Sequence, residues 1–181
     1  AFSSVALAIA SMSFAADNIK IGLQGPLTGG SSPMGVSMRD GAKLAVTEIN
    51  AKGGLLGRKI EMIERDDEAK NERGVQIAQE LINKEKVVAT VGYINSGVSL
   101  ASQRFYQEAK IPVMNNVATA TTITKQFADQ PENYVFRNSA NDTIQSTMIV
   151  EELIGRKKLT KVAILADSTN YGQLGRADLE K

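Results

Sequence analysis

The sequence predicts an α/β protein built on a doubly wound parallel sheet. Two observations carry that reading. Apolar runs of strand length recur at 18–24, 59–65, 87–91 and 112–114, and the stretches between them hold apolar residues at helical spacing. Runs such as 87–91 (VVATV) show no apolar/polar alternation, as expected of strands covered on both faces. Connections of helix length between successive strands then call for parallel pairing with right-handed crossovers.

The first strand is expected over Asn18–Gln24, closed by the turn GPLTGG at 25–30. That turn lacks the GxGxxG and GxxxxGK[ST] spacings, which argues against a nucleotide-phosphate cradle. It either delivers backbone N–H groups to a ligand or only connects strand to helix. Met38, Ala42, Ala45, Val46 and Ile49 form a helical stripe that ends at Asn50-Ala51-Lys52-Gly53-Gly54, with glycine where a helix C-terminus wants it. Lys59–Arg65 reads as the second strand and finishes at Asp66-Asp67-Glu68. Three acids in a row suggest a metal or acid/base cluster, against which stands the plainer reading of a solvated turn or a cap for the next helix. That helix is expected from Asn71 to Lys84 on Val75, Ala78, Leu81 and Ile82.

The most informative stretch is 87–122. A strand over Val87–Val91 runs into the turn Tyr93-Ile94-Asn95-Ser96-Gly97, then a helix with Val98, Ala101, Phe105 and Ala109 on one face and Ser96 as its N-cap. A further strand, Pro112–Met114, opens into the hydroxyl-rich loop Val117–Thr122. Ligands of open parallel sheets bind beyond the carboxyl ends of the strands, so Ser96 and Thr119 are placed to face one crevice. A hydroxyl beside the free N–H groups of a helix start suits a carboxylate. The alternative is that Ser96 only caps its helix and the threonines form a solvated loop.

After a polar stretch at 126–133 and a short run at Tyr134–Phe136, the sequence predicts a helix over Asp142–Arg156 and a strand over Val162–Ala166, ended by Asp167-Ser168-Thr169-Asn170-Tyr171-Gly172. Three segments are expected: a secretion-signal remnant at 1–16, a first α/β lobe at 17–138 and the beginning of a second lobe at 139–181. One helix and one strand cannot bury a core alone, so the second lobe is expected to continue past Lys181.

Composition narrows function. The 181 residues carry a net charge of +1 and contain no Cys, His or Trp. This excludes Ser-His-Asp and Cys-His catalysis, thiolate or imidazole metal sites and internal disulfides. No basic block points to nucleic acid. The first sixteen residues, AFSSVALAIASMSFAA, are apolar, small and uncharged and end in a small-x-small pattern, as in the core and cleavage site of a secretory signal; a buried N-terminal helix is the alternative. With no initiating Met and no charged leader the sequence is expected to start inside that signal, and with no Cys there is no lipid anchor. A soluble protein of a Gram-negative periplasm is expected.

The segments GPLTG (25–29), DGAKLAVTEINAKGGLLGRKIEMIERDD (40–67), VGYINSGVSLAS (91–102) and DSTNYG (167–172) together resemble the branched-chain amino acid (leucine/isoleucine/valine) binding proteins of ABC importers. The resemblance implies a type I periplasmic binding fold, two α/β lobes that close on a ligand and dock on a membrane permease. It also implies that Ser96, with Asn95 beside it, the Val117 backbone, Ala118 and the Thr119 hydroxyl hold a ligand carboxylate, that Tyr171 packs over the ligand, and that the acidic partner of an ammonium group lies beyond Lys181. No cofactor or metal is implied, and a monomer is expected. Asn95 and Gly97 fall in a loop that is richer in Ser among leucine binders, and Val117 stands where Ala is usual, so aromatic or other small carboxylates remain alternatives. Two further readings compete: a ligand-sensing domain of a receptor or regulator, and an enzyme on a similar sheet using Asp66 or Asp67 as acid/base.

Overall fold

The computed structural model describes residues 17–181; the expected secretion signal at 1–16 lies outside the described residues. Five parallel strands form one sheet in the order β2-β1-β3-β4-β5. They are β1 (Ile19–Gly25), β2 (Ile60–Asp66), β3 (Ala89–Gly92), β4 (Val113–Asn115) and β5 (Val135–Arg137). Helices α1 (Ser32–Ala51), α2 (Asn71–Glu80) and α3 (Ser96–Glu108) make the first three crossovers, and α2 runs on into a wider π-turn, Leu81–Glu85. This is the doubly wound parallel sheet that the strand and helix spacing predicts. Its strand order changes direction between β1 and β3, and there the loops after the two strands splay apart and leave a crevice.

The core lies between the sheet and α2 and α3. Leu23, Ala78, Leu81, Tyr93, Val98, Tyr106, Val113, Ile123 and Val135 are almost wholly removed from water. The apolar stripe read for α3 is displaced in the structure. Val98 is buried, but Ala109 is exposed, and the buried face is filled out by Ser99, Ser102, Gln103, Tyr106 and Gln107. These polar groups are tolerated because several find partners. Ser99 donates to Asn115 Oδ1 (2.6 Å), Gln103 Nε2 to the Ile123 carbonyl (2.9 Å) and Gln107 Nε2 to the Glu132 carbonyl (2.7 Å), so α3 anchors the irregular chain between β4 and β5.

Helix α1 also departs from its expected stripe. Met38, Ala42 and Val46 are half-buried, whereas Ala45 and Ile49 are exposed. Its end is fixed instead by a side chain: Asn50 accepts from the Ile60 N–H and donates to the Ile60 carbonyl, both at 2.8 Å, standing in for a strand beside the edge strand β2. Gly54, at φ +84°, makes the turn back possible, since a Cβ there would collide with the Arg58 carbonyl. Removing both Asn50 bonds leaves a half-buried N–H and C=O unpaired. Asn50→Ala is therefore expected to lower stability by about 1–2 kcal/mol in urea unfolding.

Beyond β5 come α4 (Asp142–Val150), continued by a π-turn to Arg156, and α5 (Asn170–Leu179), which pack on each other. The strand expected over Val162–Ala166 does not form. A strand exists only where a neighbour accepts and donates its backbone hydrogen bonds, and no described strand pairs with this run; Leu165 is 99% exposed. Among the described residues no helix is long and apolar enough to cross a membrane.

Candidate functional site

The carboxyl ends of β1, β3 and β4 and the segment before α5 enclose a crevice of about 420 Å³. Its wall includes Ser31, Met34, Ile94, Asn95, Val117 and Thr119 on the sheet side and Gln145, Asp167, Thr169 and Tyr171 opposite. A second hollow of about 380 Å³ adjoins it through Asn95, Thr169 and Tyr171. Three helix starts converge on that hollow: Asn71 of α2, Ser96 and Gly97 of α3, and Asn170 of α5. No side chain caps α2 or α3, so the free N–H groups of two helix N-termini lend positive potential to one polar space.

The expected N-cap assignment is corrected by one residue. Asn95 occupies that position in extended backbone (φ −92°, ψ 125°), and Ser96 is the first residue of α3. The Ser96 side chain therefore turns inward: it is 2% exposed, and its Oγ accepts from the Ala120 N–H at 3.3 Å, tying the β3 and β4 loops together. Asn95 reaches across the sheet's change of direction to donate to Ser31 Oγ (3.4 Å), while its Oδ1 is buried without a partner.

The other sequence-derived residues divide. Thr119 and Tyr171 both line the crevice, as does Val117. The Val117 N–H donates to the Tyr93 carbonyl at 3.3 Å, and the Ala118 N–H donates to the same oxygen at 3.1 Å. Ala118 itself is a core residue, 1% exposed. The Thr119 carbonyl accepts from the Asp142 N–H (2.9 Å) and from Arg137 (3.1 Å). Ser31, Ile94, Gln145, Asp167 and Thr169 also line the space and were not singled out from the sequence. Only the DSTNYG motif hinted at Asp167 and Thr169, whose side chains bond each other and shape the start of α5.

The acidic run is neither a solvated turn nor a metal cluster. Both Asp66 oxygens are engaged: Oδ1 accepts from the Leu27 N–H (2.8 Å) and the Glu68 N–H (2.9 Å), and Oδ2 accepts from the Thr28 hydroxyl (2.6 Å). Burial pushes the Asp66 carboxyl up, but the bonds from Thr28, Glu68 and Leu27 outweigh it and hold it below its ordinary value. It staples the GPLTGG turn to the end of β2. Asp67 is buried, and its Oδ1 accepts from the Ala69 N–H (2.9 Å); burial pushes it up to about 6. Neither acid lines the crevice, which removes the geometry an acid/base role needs. Among the described residues no three acidic side chains are grouped to hold a metal ion.

Residues 18–181 match the protein family described as Periplasmic binding protein. The chain belongs to that family. A Leu/Ile/Val-binding protein homolog 2 of Brucella abortus is 34% identical over 175 residues, covering 97% of this periplasmic binding protein chain and 45% of the relative. The substrate-binding protein of the branched-chain amino acid transporter of Streptococcus pneumoniae, solved in complex with isoleucine, superposes with a TM-score of 0.80 at 27% identity over 90% of this chain and 46% of that one. A solute-binding protein of an ABC transporter from Rhodopseudomonas palustris, solved in complex with 3,4-dihydroxy benzoic acid, gives 0.77 at 28% identity over 91% of this chain and 43% of that one. This periplasmic binding protein chain thus spans just under half the length of the relatives it matches, all of which are named for binding rather than catalysis. The resemblance to the branched-chain group and the type I fold read from the sequence both hold.

Proposed function

We propose that this chain captures a branched-chain amino acid or a similar small carboxylate in the periplasm and, as part of a two-lobed protein led out by a signal at 1–16, presents it to an ABC permease. Residues 17–138 form the first lobe and 139–181 the start of the second, and the protein acts as a monomer without cofactor. The supporting observation is the crevice at the strand ends, where the uncapped start of α3 meets the Ser96 and Thr119 loops and faces Tyr171. Helix N–H groups and the macrodipole favour an anion there. Ser96 uses its oxygen lone pair on Ala120, which leaves its hydroxyl proton to donate to a carboxylate. The Thr119 hydroxyl gives a second donor, Asn95 and the Val117–Ala118 backbone shape the same wall, and Tyr171 covers the ligand.

The test is calorimetric titration with leucine, isoleucine, valine and benzoate. Ser96→Ala with Thr119→Ala is expected to weaken the bound ligand at least about tenfold, two charge-assisted hydrogen bonds being lost. Unchanged affinity would remove the site assignment. An aromatic carboxylate is the second reading, favoured by the relative solved with 3,4-dihydroxy benzoic acid, which resembles this chain as well as the isoleucine complex does. Binding of benzoate and none of the aliphatic amino acids would select it.

A further inference from the structure

Helix α5 carries Tyr171 in its first turn, on the crevice wall, and Asp178 in its last. At 1.5 Å per residue the two lie about 10 Å apart along the helix, so one element reaches from the crevice to the loop after β4. Its start is seated by packing, since a Cβ on Gly97 of α3 would stand 2.7 Å from Asn170 Oδ1. Its end is held by hydrogen bonds. Asp178 Oδ2 accepts from the Thr121 hydroxyl at 2.7 Å, and the same Thr121 oxygen accepts from the Thr143 N–H at 3.0 Å and pairs with the Thr143 hydroxyl at 2.9 Å. The other Asp178 oxygen accepts from Lys181 Nζ at 2.6 Å. Thr121 and the Asp178 side chain are both nearly closed off from water.

Among the described residues the Thr121–Asp178 bond is the one hydrogen bond that joins α5 to residues 17–138. Local preference does not account for an acid at this position. A carboxylate in the last turn of a helix faces the negative end of the macrodipole, and aspartate is a poorer helix former than alanine. Thr121 stands two residues after Thr119, whose carbonyl accepts from the first N–H of α4. The loop that lines the crevice is thereby fixed to the start of α4 and to the end of α5.

We infer that Asp178 is a positioning residue for ligand release: its bond to Thr121 latches α5 onto the loop that carries Thr119, keeps Tyr171 over the crevice, and breaks before a bound ligand leaves. The inference rests on the capture reading above and adds the contact that sets how long the ligand stays. A nearly buried, charge-assisted hydrogen bond of this kind acts after encounter, so its loss is read in koff and not in kon.

The test is stopped-flow tyrosine fluorescence on the intact protein with L-leucine, isoleucine, valine and benzoate, beside thermal melts. Asp178→Ala should speed release of the bound probe at least about tenfold, the scale of one charge-assisted hydrogen bond, with association within about twofold of wild type. Thr121→Val should do the same, and the double variant should release no faster than either single one, because all three remove one contact. Thr121→Ser keeps the hydroxyl and should release at the wild-type rate. A contact that only stabilises the fold would lower Tm and leave koff unchanged. Alanine suits the end of α5, so Asp178→Ala decides the matter if Thr121→Val fails to fold. Wild-type release from Asp178→Ala overturns the latch and leaves the capture reading standing, as does release from Thr121→Ser as fast as from Thr121→Val. A wild type that binds none of the four probes overturns the reading and the inference together.

Discussion

Gly92→Ala is expected to lower stability by about 3 kcal/mol and the melting temperature by roughly 6–12 °C. Gly92 ends β3 and pairs with Gln24 of β1, at the point where the sheet's order changes direction. A Cβ on Gly92 would overlap the Gln24 carbonyl oxygen and stand 3.3 Å from its carbon and 3.6 Å from the Gln24 nitrogen. These are backbone atoms of a central strand, so they cannot swing aside as a side-chain tip would. The displacement would spread, because the Gly92 carbonyl accepts from the Asn116 N–H at 2.7 Å and sets the start of the β4 loop. Gly30→Ala, where an added Cβ meets nothing within 4 Å, is the control and should melt within about 0.5 kcal/mol of wild type. Coincident melts of the two variants would remove this account of the β1–β3 contact.

The sheet was legible because its strands obey one simple rule. Runs such as Ile19–Gly25 and Ile60–Asp66 are short and carry apolar residues; the four expected strands before residue 122 form within a residue or two of their expected bounds, and the short run at 134–136 supplies a fifth. The helices were legible in extent but less so in face. On α3 the buried stripe runs through Ser99, Ser102 and Gln103, because the chain facing it is an irregular loop whose carbonyls need donors, and hydropathy gives no weight to that need. Val162–Ala166 failed for the complementary reason. Its residues suit a strand, but a strand is a property of a pair, and a neighbour's presence is not written in the run itself.

Local chemistry pointed to a candidate crevice but not to its detail. The rule that ligands collect at strand carboxyl ends pointed Ser96 and Thr119 toward one crevice; in the structure Thr119 lines it with Asn95 and Tyr171, and Ser96 lines the adjoining hollow. A shift of one residue at the start of α3 was enough to turn Ser96 inward and make Asn95 the N-cap. Asp142 at the start of α4 has a buried Oδ2 with no hydrogen-bond partner, because Arg137 and Arg176 spend their donors elsewhere, which only the folded chain decides.

Asp67→Asn should stabilise the protein at neutral pH by about 1–3 kcal/mol and flatten its stability between about pH 4 and pH 6. Burial is the main cause of the Asp67 carboxyl standing at about 6; the Ala69 N–H pulls it down and the neighbouring Asp66 charge pushes it up, with Arg73 of α2 acting weakly the other way. Between its ordinary value and about 6 the folded chain keeps a proton that the unfolded chain has lost, so stability falls as pH rises through this window and is level above it. A shift of about two units corresponds to about 3 kcal/mol, the upper bound on what Asn recovers. The carboxylate is kept at that cost for a structural reason. Its Oδ1 holds the Ala69 N–H, with Glu68 and Ala69 both in left-handed backbone at φ 52° and 59°, and this turn sets the start of α2 that borders the anion-attracting hollow. Asn retains the accepting oxygen, so the turn and ligand binding should survive. Urea unfolding of both proteins at several pH values separates the cases. Asp66 and Glu68 titrate in both and cancel, so stability curves that stay parallel from about pH 4 to pH 7 would show that Asp67 carries no such charge.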